Sequence, residues 1–245
     1  MTDITTITLI DRNEMVGLAS TEYQRILAKL RTLDATDWER QTPCTEWDVR
    51  QMIAHLLGAA EANASVRETI RQVRKGSRWA KAQGRPQIDG INAFQIEERD
   101  HLSPADLIAR LEAIAPKAIA GRRKTPGLVR RAKVADGIGG KMTMEHLVDR
   151  VYTRDQWMHR LDLAEAIQLQ PLLTPQHDGR IVADVVREWA ALHDQPFVLE
   201  LSGPAGGTYT SGNDGPTIEM DAVEFCLVLS GRLDKDMPLF QPIVF

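Results

Sequence analysis

The sequence predicts a helical domain followed by a small α/β module. Apolar residues recur at helical spacing through much of the first two thirds of the chain, beginning with residues 12–33. After about residue 176 the pattern changes, because FVLELSG alternates apolar and polar residues, and GGTYTSG and PTIEMDA look like further strands between turn residues. We therefore predict helices over residues 1–172 and the α/β module over residues 173–245.

Capping residues and loop signals predict the helices of the first half. Thr45, with Asp48 three residues later, resembles a capping pair and predicts one long helix that ends near Lys75. Residues 76–90 combine glycine, proline and charge, a composition typical of a loop.

Further along the chain, Ser103 and Pro104 predict a helix start, since serine caps helices and proline suits the first helical position. The last helix of the bundle is predicted at about 143–168, and the module should contain a short helix at about 177–193.

Composition and charge exclude several classes of function. The chain has 245 residues, 43% hydrophobic and 26% charged, as in an ordinary globular protein. Its formal net charge of -4 gives no general attraction to nucleic acid. We see no secretory signal, and no segment approaches the ~18 apolar residues of a membrane span. The two cysteines are far apart in the sequence, so we expect no disulfide framework and a cytoplasmic protein. From the charge and the absence of a membrane segment we expect no nucleic-acid or membrane partner. We expect either a monomer or a homodimer.

The segment RDQWMHRLD places an acid and a histidine on one helical face. Asp155 and His159 are four residues apart, which is about 40° around a helix, and they align with its apolar stripe. His146 points to about the opposite side and is excluded from any site with Asp155. A buried carboxylate requires a partner or a metal, so the pair is either a structural hydrogen bond or part of a metal site.

A third ligand would favour the metal site, and His55 is the candidate. It lies on the flank of the apolar stripe of its helix, and helical bundles commonly hold metals with ligands from facing helices. Three nitrogen and oxygen ligands leave one coordination position open, which is the pattern of a catalytic zinc. Glu61 and His101 are the spare ligands that would fill that position in a non-catalytic site.

Three segments resemble the mycothiol-dependent maleylpyruvate isomerase family. They are TPCTEWDVRQMIAHLLGAAE, IDGINAFQIEERDHLSPADLIARLEA and MTMEHLVDRVYTRDQWMHRLDLAEAIQ. The resemblance implies a DinB/YfiT-like four-helix bundle followed by a small sterol-carrier-like α/β domain. It also implies a divalent metal, usually zinc, held by His55, Asp155 and His159. The isomerase itself has glutamate where this chain has Asp155.

The resemblance implies a metal-dependent enzyme that uses mycothiol, or a similar low-molecular-weight thiol, on an electrophilic small molecule. Thiolate addition followed by elimination gives cis–trans isomerisation of the maleylpyruvate type, whereas addition alone gives thiol S-transfer. The alternative is a non-catalytic metal- or small-ligand-binding protein, because the family is functionally broad.

Four other residues have a functional and a structural interpretation. Trp47 either walls the mouth of the pocket or packs in the core. Asn92 matches a helix asparagine of the family and is a candidate substrate-binding residue. Arg232 is a candidate for binding a substrate carboxylate, since the resemblance implies that the module closes over the site; otherwise it complements a helix dipole. Cys44 is expected to be a small residue packed at a helix start rather than a reactive thiol.

Residues 121–141 are rich in glycine and in basic side chains, and predict a long solvated connection. The cluster either guides an anionic thiol or substrate, or is simply a charged loop, and it lacks the interleaved aromatics of a nucleic-acid site. Its basic residues are Arg122, Arg123, Lys124, Arg130, Arg131 and Lys133.

Overall fold

A computed structural model describes residues 1–245, which divide into two compact units. The helical unit is Arg12–Pro171, and the α/β unit combines Met1–Asp11 with Leu172–Phe245. The helices are α1 Arg12–Leu30, α2 Val49–Ala64, α3 Val66–Gln83, α4 Gln87–Glu97, α5 Pro104–Lys124, α6 Gly127–Arg130, α7 Met144–His146, α8 Tyr152–Ala166, α9 Asp178–His193 and α10 Ala222–Leu229. The strands are β1 Thr2–Asp3, β2 Lys133–Ala135, β3 Lys141–Thr143, β4 Phe197–Ser202, β5 Gly207–Ser211 and β6 Thr217–Asp221.

Four helices of the helical unit form a bundle. Each contacts two others, in the cyclic order α1, α5, α2, α8, and the hairpin of α3 and α4 packs against α2. Their shared core is aliphatic, and its fully buried members include Ile53, Leu57, Leu107 and Leu111. The predicted fold class, helices followed by a small module with a sheet, is confirmed. No helix in the structure has both the length and the apolar character that crossing a membrane requires.

The start and the end of α2 differ from the prediction. Asp48, not Thr45, is the N-cap, because its side chain accepts a hydrogen bond from Gln51 N at 2.7 Å while Gln51 Oε1 accepts one from Asp48 N at 3.0 Å. The helix stops at Ala64, where Ser65 adopts an extended backbone and caps α3. The predicted single helix to Lys75 was therefore wrong.

The predicted loop over residues 76–90 was also wrong, because Gly76 lies inside α3 and serves packing rather than a turn. A Cβ on Gly90 would lie 2.1 Å from the carbonyl oxygen of Gly76, so the backbones of α3 and α4 touch at these two glycines. The helix instead ends at Gln83 and is capped by Gly84, whose φ of 63° favours glycine.

The last helix of the bundle is interrupted just before the acid–histidine pair. Residues Leu147–Val151 form a π-helical turn between α7 and α8. Arg122 of α5 inserts here, since its Nε donates to the carbonyl oxygen of Val148 at 2.6 Å and its Nη2 donates to Thr153 Oγ1 at 2.5 Å. The turn and the guanidinium thus fix where α8 begins.

A second buried guanidinium holds α8 against α1. Arg160 Nε donates to Glu22 Oε2 at 2.7 Å, and Arg160 Nη2 to Glu22 Oε1 at 3.2 Å. These two hydrogen bonds restrict both the rotation of α8 about its axis and its position along that axis.

Two members of the predicted basic cluster, Arg122 and Arg130, are buried rather than solvated. Arg130 pairs with Asp149.

The α/β unit is built on a mixed sheet with strand order β1-β5-β4-β6. Strand β4 is antiparallel to β5 and parallel to β6, and α9 contacts α10. Trp189 of α9 is fully buried, with Phe197 and Phe225 at ring-centroid distances of 4.8 and 5.4 Å. The helix predicted at about 177–193 is confirmed as α9.

The first residues belong to the α/β unit, although the sequence analysis assigned them to the helical domain. Thr2 pairs with Tyr209 in a parallel bridge between β1 and β5, and Ile10 N donates to Asp184 Oδ1 at 2.7 Å. The segment TDITTITLI is rich in β-branched residues, which suit an edge strand better than a helix. The C-terminal unit therefore includes Met1–Asp11.

All three tyrosines should stay protonated in the folded protein at pH values where tyrosine normally ionises. Burial raises the pKa of Tyr23 to about 12, and burial also raises the pKa of Tyr152 and of Tyr209. Because the unfolded chain releases these protons near its ordinary pKa of about 10, stability is unaffected below that pH and falls as the pH rises towards about 12. Ultraviolet absorbance should show tyrosinate forming together with unfolding monitored by circular dichroism. Tyrosinate formation near pH 10 in a fully folded chain would contradict this account.

Candidate metal centre

Three side chains from two helices of the bundle converge in the structure. His55 comes from α2, and Asp155 and His159 come from successive turns of α8. The Nε2 atom of His159 lies 3.3 Å from Asp155 Oδ1, and the Nε2 atom of His55 lies 3.9 Å from Asp155 Oδ2. One potential ligand atom from each residue lies within 4.8 Å of the other two, so a single cation could contact all three.

The remaining nitrogen of each imidazole has its own partner. His55 Nδ1 lies 2.8 Å from Gln95 Oε1, and His159 Nδ1 lies 2.9 Å from Asp162 Oδ2. A ring whose Nδ1 donates to such an acceptor keeps the lone pair of Nε2 available for a metal. Both Nε2 atoms face Asp155, so both rings are oriented as metal ligands usually are.

A chain of hydrogen bonds between buried amide side chains orients His55 through its contact with Gln95. Gln95 Nε2 donates to Gln72 Oε1 at 2.7 Å, and Gln72 Nε2 donates to the carbonyl oxygen of Gly58 at 2.9 Å. These side chains belong to α4 and α3, so the helical hairpin orients a ligand of α2.

The charges of the cluster are tightly coupled. Burial by itself would raise the pKa of Asp155, but the charge of His159 and hydrogen bonds from His159 and His55 lower it strongly. Burial would lower the pKa of His159, but the charge of Asp155 and hydrogen bonds to Asp155 and Asp162 raise it well above its ordinary value. Without a metal, the arrangement therefore favours an ionised aspartate beside a protonated His159.

The apolar stripe used to select Asp155 and His159 is not a distinct face of the folded helix. Helix α8 is buried around nearly its whole circumference, including polar residues such as Arg154 and Gln156, so burial does not single out one stripe. Asp155 is in fact among the more open positions, with 23% of its side chain exposed against 3% for His159. Of this acid–histidine pair, the carboxylate is therefore the member that solvent reaches more easily.

Trp47 covers the two histidines. Its ring centroid lies 4.9 Å from that of His55 and 5.9 Å from that of His159. The loop before α2 fixes this position, since the carbonyl oxygen of Trp47 accepts hydrogen bonds from Thr42 Oγ1 and Gln41 Nε2, each at 2.7 Å. Both interpretations offered for Trp47 have support, since the half-buried side chain packs against the core of the bundle and also lies beside the two imidazole rings.

Trp47 also lines a cavity of about 320 Å³. Asn92 of α4 lines it as well, so two of the predicted substrate-binding residues share one cavity. The lining residues are Glu46, Trp47, Gln51, Trp79, Arg85, Asp89, Asn92, Ala93, Ile96 and Glu97.

The remaining candidates fall in different places. Arg232 is exposed in the α/β unit, beyond the end of α10, and its role at a site in the bundle stays a prediction. Glu61 pairs with Arg99, and His101 is exposed, so neither spare ligand joins the three converging side chains.

Cys44 is half-buried with its Sγ 3.7 Å from Asp162 Oδ2. It forms a second possible ligand group with His159 and Asp162, on the Nδ1 side of the ring. The prediction that Cys44 only packs at a helix start missed this proximity.

Sequence reasoning also missed Gln95 and Asp162. Asp162 could have been recognised, because it lies three residues after His159 and so projects from nearly the same face. Gln95 gave no such signal, since its contact with His55 exists only once α4 is folded against α2.

Comparison with known proteins agrees with this architecture. Two solved structures are similar to this chain: the mycothiol-dependent maleylpyruvate isomerase, at 17% identity and a TM-score of 0.59, and a histidine-to-alanine mutant of that enzyme, at 16% and 0.58. Each match covers 99% of this chain and 100% of the other, so the likeness extends over both units. No curated protein sequence matches.

A family profile described as "Mycothiol maleylpyruvate isomerase N-terminal domain" matches residues 19–164. The match covers more than half of the chain and contains α2, all but the last two residues of α8, and all three converging side chains. The chain therefore belongs to the family of mycothiol maleylpyruvate isomerase N-terminal domains.

Proposed function

We propose that this protein is a zinc-dependent enzyme that uses mycothiol to isomerise an electrophilic substrate of the maleylpyruvate type. The observation that carries the proposal is the convergence of two imidazole Nε2 atoms on one carboxylate, with each Nδ1 already engaged. Both relatives of known structure are named for this activity, and the family profile carries the same name.

The donor set fits the proposed metal. Two neutral imidazoles and a carboxylate are typical ligands of a catalytic zinc, and three protein ligands leave a position for the thiol. His55, Asp155 and His159 would hold the ion, which would supply Lewis acidity and keep a bound thiol sulfur in its nucleophilic, deprotonated form. The pair Cys44 and Asp162 fits less well, because Asp162 already engages the Nδ1 atom of His159.

The surrounding side chains would orient the reactants and limit access of water. Trp47 shields the two imidazoles on one side, while the partly exposed Asp155 marks the side open to small molecules. We assign Trp47 and Asn92 to binding of the reactants and Arg232 to binding of a substrate carboxylate. Neither cysteine forms a disulfide, which suits the reducing cytoplasm in which we expect the protein to work.

In the proposed reaction the thiol is a catalyst rather than a reagent. The thiolate adds to an alkene carbon conjugated to a carbonyl, and the electron pair of the double bond moves towards that carbonyl. Rotation about the new single bond and loss of the thiolate then restore the alkene in the trans form. Thiol S-transfer would stop after the addition, so the two activities differ in whether thiol is consumed.

The test is turnover of maleylpyruvate by the zinc-loaded protein with limiting mycothiol. We expect many substrate molecules to be isomerised per mycothiol, with no loss of free thiol. Loss of one thiol per product would indicate an S-transferase instead. Absence of any thiol-dependent reaction with this substrate would refute the isomerase assignment.

Replacing the carboxylate ligand should abolish this activity. Asp155→Asn keeps the size of the side chain but removes its charge, so we expect kcat/KM to fall by about 100-fold or more. Glu165→Gln, on the exposed side of the same helix, is the matched control and should keep the wild-type value. Equal activity in the two variants would rule out Asp155 as a ligand.

Disrupting the support of His55 should weaken metal binding without unfolding the bundle. Gln95→Leu removes the hydrogen-bond partner of Nδ1, and loss of such a partner typically lowers metal affinity by about 10–100-fold. Gln87→Leu is the control, because Gln87 begins the same helix, is exposed, and donates its side-chain hydrogen bond to Ser77 rather than to a histidine. Competition with a chromogenic chelator measures both affinities, and an unchanged zinc Kd in Gln95→Leu would contradict this role.

A further inference from the structure

Helix α3 carries an exposed apolar stripe that the bundle does not cover. The helix packs mainly on α4 and α2. On the side away from these neighbours, Val66, Ile70 and Val73 expose 78%, 55% and 37% of their surface. The intervals of four and three residues between them return to nearly the same angle around a helix, so the three side chains form one continuous stripe.

The stripe has the spacing and the width of a coiled-coil seam. Apolar or small side chains stand at positions 66, 70, 73, 77 and 80, which are alternating a and d positions of a heptad. At ~100° per residue, the three exposed aliphatic residues span about 60° of the helix. A helix that lies on a broad apolar surface has a face of about 100° or more, whereas a seam for one other helix is narrower. The width of the stripe therefore favours a single helix as its occupant.

A row of basic side chains runs beside the stripe. In the same heptad, Arg67, Arg74 and Lys81 occupy every e position of α3, each one residue after a d position. All three are exposed, and none forms an ion pair within the chain. The g positions on the other side of the stripe are uncharged: Thr69, Gly76 and Gln83. The surface is thus an apolar stripe with unpaired positive charge along one edge.

We propose that this surface, which we call the α3 face, binds an acidic amphipathic helix of a partner protein. The α3 face consists of the aliphatic stripe and the basic row: Val66, Ile70, Val73, Arg67, Arg74 and Lys81. Apolar residues at the a and d positions of the partner helix cover the stripe, and glutamate or aspartate at its flanking positions pairs with the basic row. The inference is independent of the proposed chemistry, because no residue of the face belongs to the metal centre.

Charge selects an acidic partner. Helix α3 has six basic residues and one acidic residue, a net charge of +5, within a chain whose formal net charge is -4. The expectation that the protein lacks anionic macromolecular partners rested on the charge of the whole chain, which conceals this local excess. Complementary charge speeds association and excludes partners whose flanking residues are basic.

The same charge disfavours a second copy of this chain as the occupant. A two-fold axis presents the same surface on both sides of an interface. Two antiparallel α3 helices would therefore place one basic row against the other. Two parallel helices would need the g positions, and the g position Gly76 is covered by the backbone of α4.

The fold presents the α3 face already formed. Ser65 caps the helix by accepting a hydrogen bond from Glu68 N at 3.3 Å, and the close contact of Gly76 with α4 holds the middle of the helix. Arg71 connects α3 to the end of α4, where its Nη1 donates to Glu98 Oε2 at 2.7 Å. Binding therefore requires little ordering of this side, which lowers the entropic cost of association.

The test compares two synthetic helices on the full-length protein. Each has about three heptads with leucine at a and d, and one has glutamate at e and g where the other has lysine. Fluorescence anisotropy of the labelled peptides at physiological salt measures both Kd values. We expect wild type to bind the glutamate helix at least about tenfold more tightly than the lysine helix.

Two variants test the two parts of the face. Ile70→Asp places a charge in the middle of the stripe and should raise the Kd of the glutamate helix about tenfold or more. Arg74→Glu reverses one charge of the basic row, so it should weaken the glutamate helix and strengthen the lysine helix. Lys75→Glu is the matched control, because it makes the same change of charge on the opposite side of α3 from the stripe and should leave both Kd values near those of wild type.

The outcomes decide between the occupants. Stronger binding of the lysine helix by Arg74→Glu supports the inference in a way that a misfolded variant cannot imitate. If wild type binds neither helix, binds both equally, or keeps its affinity in Ile70→Asp, the inference is overturned. Binding of phosphatidylglycerol vesicles but of neither helix would assign the face to a membrane surface instead. A dimer in sedimentation that Ile70→Asp dissociates would assign it to a second copy, and either result also overturns the inference.

Discussion

The site depends on one electrostatic constraint, the presence of an ionised carboxylate inside a helical bundle. Asp155 retains some contact with solvent, but most of its surface is protein, and an uncompensated charge there would cost several kcal/mol. His55 and His159 supply the compensation through their Nε2 atoms. The same arrangement that stabilises the aspartate is a set of nitrogen and oxygen donors suited to a divalent cation. The need to compensate the charge of Asp155 therefore accounts both for the placement of the two histidines and for the proposed metal site.

That requirement explains why α8 is held so firmly. A metal site tolerates displacements of only a few tenths of an ångström in its ligand distances. The paired Glu22 and Arg160 fix α8 against α1 one residue beyond His159, and Arg122 fixes its start through the π-helical turn. Buried ion pairs contribute little net stability, but they restrict the helix to one rotation about its axis and one position along it. We interpret these guanidinium groups as positioning residues for the carboxylate and imidazole of α8.

Local features of the site could be predicted from the sequence, whereas tertiary ones could not. The spacing of Asp155 and His159 is enforced by the helix that carries them, so their proximity follows from the chain itself. His55 was predicted as a third ligand because its helix also has an apolar side and because the surrounding segment resembles the family, and the structure brings its Nε2 atom near Asp155. Gln95 was missed because its contact with His55 exists only once α4 is packed against α2, which no local pattern of residues predicts. Arg122 was assigned to a solvated segment because charge alone does not reveal a buried partner such as the carbonyl of Val148.

The central claim is that the three converging side chains form a metal site rather than a structural ion cluster. The most direct test is elemental analysis of the wild type and of His159→Ala, both purified without a histidine tag or added metal. The account predicts about one equivalent of zinc in the wild type, and its loss in the variant while the bundle remains folded by circular dichroism. A wild-type protein that contains no metal and cannot be loaded with one would contradict the claim, and would make Asp155 and its two histidines a structural cluster.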